Sequence, residues 1–383
     1  MVLLLHRGNS CPKRGTCGHS TLRSGLCTKA SPTMTFDPSL MKSLCLLRLS
    51  AIGDVCHAVA MVQAIQRRYP DLAVTWVIGK VEYQLLKHLP GIEFVIFDKS
   101  QGFKAYGQLC RALKGRHFDV LLHMQVALRA TIASLMIPAK VRIGFDRARA
   151  KEGQWLVTNE RVEAMATPHV LEGFMGFARK LGVTELPPSW DMHIPAADEV
   201  FAKELVADGE KVLAICAAAS KAERNWLPER YAAVADYAVS KGYRVLLCGG
   251  PAQLEKDLAA AIEANCSSKL TNLVGKTSLI QLLALLKRVS LVIAPDTGPA
   301  HMAVTQGTPV IGLYAHSNPG RTGPYFSREL TVSVYDQVIA EQYPNQQIPW
   351  GTRAKGDTLM EKIEVADVCR MFDRATDVAT QEV

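Results

Sequence analysis

The chain has 383 residues, of which 48% are hydrophobic and 21% charged, and this is enough for two folded domains with sizeable cores. No apolar run approaches the roughly 20 residues that a membrane-spanning helix needs. Half of the net charge of +8 lies in residues 1–40, and the mild remainder argues against a nucleic-acid partner. That remainder is compatible with an anionic substrate or with a phosphate-rich membrane surface.

The N-terminal segment and the cysteines indicate the cellular setting. Residues 1–40 are rich in small, polar and basic residues without periodicity, so we predict a disordered extension. The opening MVLLLH is too short for a signal peptide. None of the ten cysteines forms a CxxC pair, and several lie in apolar runs, which favours free thiols in a reducing cytosol over disulfides.

The first half alternates strands and helices and carries one candidate catalytic carboxylate. An apolar strand at 43–49 ends in a turn of small residues, and a helix follows from Val55 to Arg68. Asp54 stands at the helix entry, beside the carboxyl end of a strand, where open α/β sheets place their sites. It is either a general base or only a charge that favours the helix N-terminus. The turn lacks the GxGxxG dinucleotide fingerprint.

Polar and basic side chains follow later strands of the same half. Surface solvation explains most of the basic clusters, but those after strand ends are better candidates for gripping an anionic acceptor. The candidates are Gln125, Arg129, Arg147, Arg149 and Lys151. Residues 152–193 are predicted to be rich in loops, and a linker is expected at about 194–199.

The alternation restarts in the second half at about residue 211. An apolar strand at 212–216 leads into a loop that carries Ser220, Lys221 and Arg224. Such a loop suits a diphosphate, and the alternative is a solvated loop with two exposed cations. Residues 326–350 are predicted to be irregular, with a last amphipathic helix at about 360–375.

A strand–turn–helix–strand unit at 291–314 is the second candidate site. Backbone N–H groups at the start of its short helix attract anions. Asp296, Thr297 and His301 add side chains that can hydrogen-bond a sugar or a phosphate. The alternative is an ordinary βαβ unit in which Asp296 or Thr297 caps the helix.

Four motifs occur together in an order that resembles a known family. They are Leu-Ser-Ala-Ile-Gly-Asp at 49–54, the loop at 220–226, Gly-Gly-Pro at 249–251 and Asp-Thr-Gly-Pro-Ala-His at 296–301. In this order they resemble the heptosyltransferases, glycosyltransferase family 9, over about residues 43–375. The resemblance implies a GT-B fold of class α/β, in which two Rossmann-like domains face a central cleft. We expect an extension at 1–40, an acceptor domain at 41–195, a donor domain at 196–350, and at 351–383 a C-terminal helix that packs back on the N-terminal domain.

The resemblance also implies an activity and a set of site residues. The family transfers heptose from ADP-L-glycero-D-manno-heptose to the inner core of lipopolysaccharide, with inversion at the anomeric carbon. Asp54 matches its general base. The implied donor-binding residues are Ser220, Lys221, Arg224, Gln253, Thr277, Asp296, Thr297, Gly298 and His301. Gln253 stands where many members have a glutamate, and Glu255 is close by.

The expected partners follow from the same resemblance. They are ADP-heptose and a lipid A–Kdo acceptor, which a monomer would meet at the inner face of the cytoplasmic membrane. The sequence holds no Asp-X-Asp motif, so we expect neither a cofactor nor a metal at the diphosphate. The alternatives are another nucleotide-sugar donor, a nucleotide-sugar epimerase of the same fold, or a protein that binds a nucleotide sugar without catalysis.

Overall fold

The computed structural model describes residues 36–184 and 187–381. From Pro38 onward the chain packs as one unit, which holds two parallel β-sheets of six strands each. We call the part with the first sheet, up to residue 193, the first lobe, and the part from residue 196 the second lobe. Most of the predicted N-terminal extension, residues 1–35, lies outside the described residues.

The first lobe is a doubly wound sheet. Its strands are β1 (Ser43–Leu47), β2 (Ala73–Gly79), β3 (Ile92–Phe97), β4 (Phe118–His123), β5 (Ala139–Gly144) and β6 (Glu160–Arg161). Its helices are α1 (Ile52–Arg68), α2 (Lys80–Leu86), α3 (Lys104–Ala112), α4 (Leu128–Leu135) and α5 (Val170–Lys180). The strand order is β3-β2-β1-β4-β5-β6, with every neighbouring pair parallel. Strand β1 is central and buried on both faces, which explains its nearly continuous apolar run.

The second lobe repeats this plan. Its strands are β7 (Val212–Ile215), β8 (Arg244–Leu247), β9 (Thr271–Asn272), β10 (Leu291–Pro295), β11 (Val310–Tyr314) and β12 (Val332–Ser333). Its helices are α6 (Ala196–Leu205), α7 (Pro228–Ser240), α8 (Gln253–Asn265), α9 (Leu279–Arg288), α10 (Gly298–Thr305), α11 (Pro319–Thr322), α12 (Tyr335–Gln342) and α13 (Val365–Gln381). The order β12-β11-β10-β7-β8-β9 places β7 and β10 at the centre. The alternation predicted from the sequence is therefore confirmed in both lobes.

Three helices lie where loops were expected. Helix α5 falls in the segment predicted to be loop-rich, α6 begins inside the predicted linker, and α12 lies in the segment predicted to be irregular. Helix α5 is easy to miss because its N-cap is His169, whose Nδ1 accepts the Leu171 N–H at 3.1 Å, and histidine is not among the residues that usually signal a helix start. Its apolar face packs against α1.

The expectation that the C-terminal helix returns to the first lobe is wrong. Helix α13 packs against α7 and the β11–β12 edge of the second sheet. Its buried side chains Val368, Phe372 and Ala375 belong to the core of the second lobe. The Phe372 ring meets the Tyr243 ring edge-on at 5.0 Å, and the Tyr237 hydroxyl donates to the Asp373 carboxylate at 2.7 Å.

No described helix is both long enough and apolar enough to cross a bilayer. The cysteines that the structure describes are all free, and Cys45, Cys56, Cys216 and Cys248 are buried. For these residues the prediction of free thiols is confirmed.

Candidate active site

The starts of two helices, one from each lobe, meet at the carboxyl edges of the two sheets. Helix α1 follows β1, and helix α10 follows β10. A Cβ atom on Gly53 would overlap the His301 ring and lie 3.0 Å from its Cγ, and a Cβ on Gly298 would lie 3.0 Å from the Cβ of Ile52. Glycine at 53 and 298 therefore lets the two helix starts touch. The contact brings the candidate base of the first lobe close to the candidate donor site of the second.

Asp54 lies in the first turn of α1 with its carboxylate partly open to solvent. Its Oδ2 accepts the Ala51 N–H at 3.2 Å and forms an ion pair with Arg48. The Asp54 side chain is 32% exposed, whereas that of Arg48 is 12% exposed. The carboxylate is thus fixed on one side and accessible on the other, as a base that meets a bound hydroxyl requires.

Arg48 holds Asp54 in place and is not among the residues predicted from the sequence. Its Nη1 donates to the Met124 carbonyl at 2.5 Å, and its guanidinium lies over the Phe174 ring at 5.2 Å. An arginine inside the apolar run Leu46–Leu49 needs a buried partner. That signal could have indicated a carboxylate nearby.

Gln125 supports the same loop. Its Oε1 accepts the N–H groups of Leu49 at 2.6 Å and Ser50 at 3.3 Å, and its Nε2 donates to the Ser50 hydroxyl at 3.1 Å. The end of β4 is thereby tied to the turn that presents Asp54. Its amide is engaged within the fold, and acceptor binding by Gln125 stays a prediction.

The other acceptor candidates divide into two groups. Arg149 forms an ion pair with the buried Asp146 and donates to the Glu163 carbonyl at 3.2 Å, so it is engaged within the fold. The remaining three are exposed after strand ends of the first sheet, and for them acceptor binding stays a prediction. They are Arg129, Arg147 and Lys151.

On the second lobe, three predicted donor residues and Ser317, which the sequence did not indicate, lie together around the fourth predicted residue, Asp296. The Ser317 hydroxyl donates to Asp296 Oδ2 at 2.6 Å, and His301 Nε2 lies 3.8 Å from Oδ1. Arg224 Nη1 lies 3.7 Å from the same carboxylate and donates to the Asp296 carbonyl at 3.2 Å. Its Nη2 donates to the Ser220 hydroxyl at 2.7 Å. The structure thus joins residues that are far apart in sequence into one network.

The network keeps Asp296 ionised although its side chain is only 11% exposed. Burial by itself raises the pKa of a carboxyl group. The interactions with His301, Ser317 and Arg224 outweigh burial, and the pKa of Asp296 lies below its usual value. Because its carboxylate is occupied by protein groups, Asp296 fixes the positions of Ser317 and Arg224.

The start of α10 is not capped by a side chain. Thr297 is the N-cap residue by position, but its hydroxyl donates to the Ala218 carbonyl at 3.2 Å. The first N–H groups of the helix therefore have no side-chain cap, and the helix dipole favours an anion at this place. The alternative that Asp296 or Thr297 serves only as a capping side chain is not what the structure shows.

Three predicted donor residues lie outside this network. Lys221 is exposed and lies 3.6 Å from Glu223, and Thr277 is half-buried just before α9. Gln253 is exposed and donates to Asp257 at 2.7 Å. Glu255, in the first turn of α8, instead reaches the glycine turn after β8, where its Oε2 accepts the Gly250 N–H at 2.5 Å. The carboxylate at the glycine turn is therefore Glu255, and the structure does not place Gln253 there.

Three buried imidazoles in edge-on contact join the lobes behind the site. The His57 ring lies 4.7 Å from that of His301 and 5.5 Å from that of His169, both edge-on. His169 Nε2 donates to the Gly323 carbonyl of the second lobe at 2.9 Å. Burial, strengthened by the neighbouring imidazoles, holds the pKa of His57 well below its usual value, and burial lowers that of His169 to about 3. The His57 and His169 rings are thus neutral and serve as packing between the lobes.

Within the described ranges, no three His, Cys, Asp or Glu side chains are grouped as a metal site would need.

The family model and the similar curated sequences point to the same family. Residues 106–347 match the family described as glycosyltransferase family 9 (heptosyltransferase). The lipopolysaccharide core heptosyltransferase OpsX of Haemophilus influenzae is 47% identical over 329 residues, which are 85% of this chain and 95% of that protein. A lipopolysaccharide heptosyltransferase 3 of Escherichia coli is 23% identical over 86% of this chain and 97% of its own.

Solved structures share the architecture. A family 9 glycosyl transferase from Veillonella parvula has a TM-score of 0.74 at 21% identity, covering 89% of this chain and 98% of its own. The Escherichia coli heptosyltransferase WaaC, solved with ADP, has a TM-score of 0.67 at 18% identity, covering 87% and 99%. The predicted GT-B fold is therefore confirmed. The family match and the 47% identity together show that this chain is a glycosyltransferase and belongs to glycosyltransferase family 9, the heptosyltransferases.

Proposed function

We propose that this enzyme transfers heptose from ADP-L-glycero-D-manno-heptose to the inner core of lipopolysaccharide, with Asp54 as general base and with inversion at the anomeric carbon. The observation that carries the proposal is the contact between α1 and α10. It sets the partly open carboxylate of Asp54 beside an uncapped helix start that is flanked by Arg224 and Ser220. The name of the OpsX relative supports the acceptor. Structures of WaaC with ADP and with ADP-2-deoxy-2-fluoro heptose support the donor.

The first lobe activates the acceptor. As the acceptor oxygen attacks the anomeric carbon, its proton passes to the Asp54 carboxylate, and the bond from that carbon to the diphosphate oxygen breaks. Attack from the face opposite the leaving group inverts the anomeric centre. A positioned base contributes roughly 10²–10⁴-fold to such a step. Arg48 and Gln125 keep the carboxylate at the place of attack.

The second lobe stabilises the leaving group. Negative charge develops on the diphosphate as ADP departs, and the free N–H groups at the start of α10 stabilise it without rearrangement. Arg224 adds a cation and Ser220 a hydroxyl donor, and Asp296 holds Arg224 in place. The sequence holds no Asp-X-Asp motif for a metal-chelated diphosphate, so we propose that these groups act in place of a metal.

The setting is part of the proposal. A lipid A–Kdo acceptor is anchored in a membrane, so the enzyme would work on the cytoplasmic face of that membrane. We propose that it works there as a monomer. Base and leaving-group site lie on different lobes, and closure of the lobes on the two substrates would complete the site.

A donor screen with defined acceptors tests the function. The purified chain is mixed with ADP-heptose, with other nucleotide sugars, and with deacylated core acceptors that end in Kdo or in the first heptose, and products are read by mass spectrometry. We expect a gain of one heptose per acceptor with release of ADP, and NMR of the product should show the inverted anomer. Transfer of a different sugar, conversion of the donor without an acceptor, or binding without turnover would each contradict the proposal.

A further inference from the structure

The outer side of α4 and the segments beside it form an exposed apolar surface on the first lobe. The inner sides of both helices pack on one face of the first sheet, with Leu109 and Ala133 in the core. On the outer side of α4, Leu128, Ile132 and Leu135 are 56%, 38% and 61% exposed. Their spacing places them on one stripe along the helix.

Neighbouring segments extend this stripe. Trp155 and Leu156 are 55% and 77% exposed, and Phe103, just before α3, is 92% exposed. The two outer segments are fastened to α4, since the Thr131 hydroxyl donates to the Glu152 carbonyl at 2.9 Å and the Tyr106 hydroxyl to the Arg129 carbonyl at 3.5 Å. We call these six large apolar side chains the outer patch: Phe103, Leu128, Ile132, Leu135, Trp155 and Leu156.

Four of the six outer-patch residues, all but Trp155 and Leu156, lie in the most basic part of the chain. Residues 99–151 contain eleven Lys and Arg against only Asp119 and Asp146, a local net charge of +9 where the whole chain has +8. Three of these cations are paired with carboxylates, Arg116 with Glu93, Lys140 with Asp119 and Arg149 with Asp146, and Arg142 donates to backbone carbonyls. The other seven cations of this segment are exposed. The mild average charge of the chain therefore hides a strongly cationic surface.

An apolar patch whose chain segments also carry seven exposed cations favours a partner that offers both an apolar medium and negative charge. The surface of an anionic bilayer offers both. We propose that the outer patch docks on a bilayer of anionic phospholipid, with its apolar side chains in the interfacial region and the cations beside the phosphates. Nucleic acid would leave the large apolar side chains unburied, and a second copy of the same surface would set cations against cations.

This proposal rests on the proposed function because it assumes a lipid-linked acceptor, and it deepens that function by naming the surface that meets the membrane. Phe103, Leu128 and Trp155 all follow carboxyl ends of strands in the first sheet, the edge that also carries Asp54. Docking through the outer patch would therefore bring this edge to the membrane in which a lipid-linked acceptor is anchored.

Co-sedimentation of the full chain with vesicles tests the surface. Vesicles of phosphatidylcholine alone are compared with vesicles of equal parts phosphatidylcholine and phosphatidylglycerol. We expect binding to the anionic vesicles only, and release at about 1 M salt, where charges are screened within about 3 Å. The double variant Trp155→Ser/Leu156→Ser should lower the partition coefficient about tenfold or more, because two large side chains no longer enter the interface.

Matched variants on the second lobe serve as controls. Val200 and Leu254 are 56% and 44% exposed, so Val200→Ser/Leu254→Ser removes exposed apolar surface elsewhere and should leave binding unchanged. Replacement of three α3-side cations by glutamine should weaken binding, whereas the same change at three second-lobe cations should not. The first set is Lys104, Arg111 and Lys114, and the control set is Lys203, Lys269 and Arg374.

The vesicles hold no acceptor, so this test and the test of heptose transfer can fail independently. Normal transfer to a soluble deacylated acceptor, together with lost vesicle binding, in Trp155→Ser/Leu156→Ser would support the proposal. It would be overturned by equal binding of the variant and the wild type, or by no binding of the wild type to anionic vesicles. Loss of transfer to the soluble acceptor, a dimer in light scattering that the variant dissociates, or tight binding of RNA that the variant abolishes would likewise overturn it.

Discussion

Replacing Gly53 by alanine is the sharpest test of the contact between the lobes. A Cβ at this position would overlap the His301 ring. The ring has little room to move aside, because it is 7% exposed, lies 4.7 Å from the His57 ring and lies 3.8 Å from the Asp296 carboxylate. The added methyl group must therefore push α1 and α10 apart.

The size of the effect follows from the position of the overlap. Overpacking of a filled site costs about 1–3 kcal/mol. The overlap falls between Asp54 and the donor network, and a displacement on the order of 1 Å at reacting groups lowers a rate about 10²-fold. We therefore expect Gly53→Ala to lower kcat/KM for transfer by about 10–100-fold and to lower Tm as well.

Gly107→Ala is the matched control. Gly107 lies in helix α3, and a Cβ there would meet nothing within 4 Å. Removing a glycine from a helix stabilises by roughly 0.5–1 kcal/mol, so Tm should rise slightly and kcat/KM should not change. If Gly53→Ala behaves like Gly107→Ala in steady-state kinetics and in thermal unfolding, the described contact between the lobes is wrong.

Two further predictions follow from the buried polar groups. Ser317→Ala removes the 2.6 Å hydrogen bond to the buried Asp296 carboxylate, so we expect a loss of about 1–3 kcal/mol in stability and weaker ADP binding in calorimetry. The histidines His57, His123 and His169 have folded-state pKa values far below their usual value, about 3 for the last two, because they are buried. Since the unfolded chain takes up these protons first, stability should be unaffected above about pH 6.5 and should fall below it by about 1.4 kcal/mol per pH unit for each group. In urea unfolding, His57→Gln should reduce the pH dependence of the free energy of unfolding by about 1.4 kcal/mol per pH unit, the contribution of one histidine. An unchanged dependence would show that His57 is not held neutral by the fold.

The sequence predicts well whatever depends on local pattern. Buried parallel strands read as apolar runs, and small residues after β1 and β10 indicate the turns that present Asp54 and Thr297. Strand ends and helix starts in a parallel sheet meet at one edge, so the two candidate sites could be placed before their contacts were known.

What the sequence does not reveal depends on contacts between distant segments. Arg48 orients Asp54, and the His57 ring contacts the His301 ring of the other lobe edge-on, but nothing local distinguishes them from an ordinary basic residue and a core histidine. The partner of α13 could not be read from its amphipathic pattern either, because an apolar face shows that a helix packs but not against which sheet. The engagement of Gln125 by the turn at Leu49 likewise appears only once β4 lies beside β1.

The most direct test of the central claim, that Asp54 is the base opposite a separate donor site, is to measure transfer and donor binding together in Asp54→Asn. We expect transfer to fall about 10²–10⁴-fold in single-turnover experiments, while ADP affinity in calorimetry stays at the wild-type value. Asp71→Asn, which changes an exposed carboxylate of the same lobe, should affect neither quantity. Transfer by Asp54→Asn within a fewfold of the wild type, or a loss of activity that is matched by a loss of ADP affinity, would contradict the assignment of Asp54 as the base.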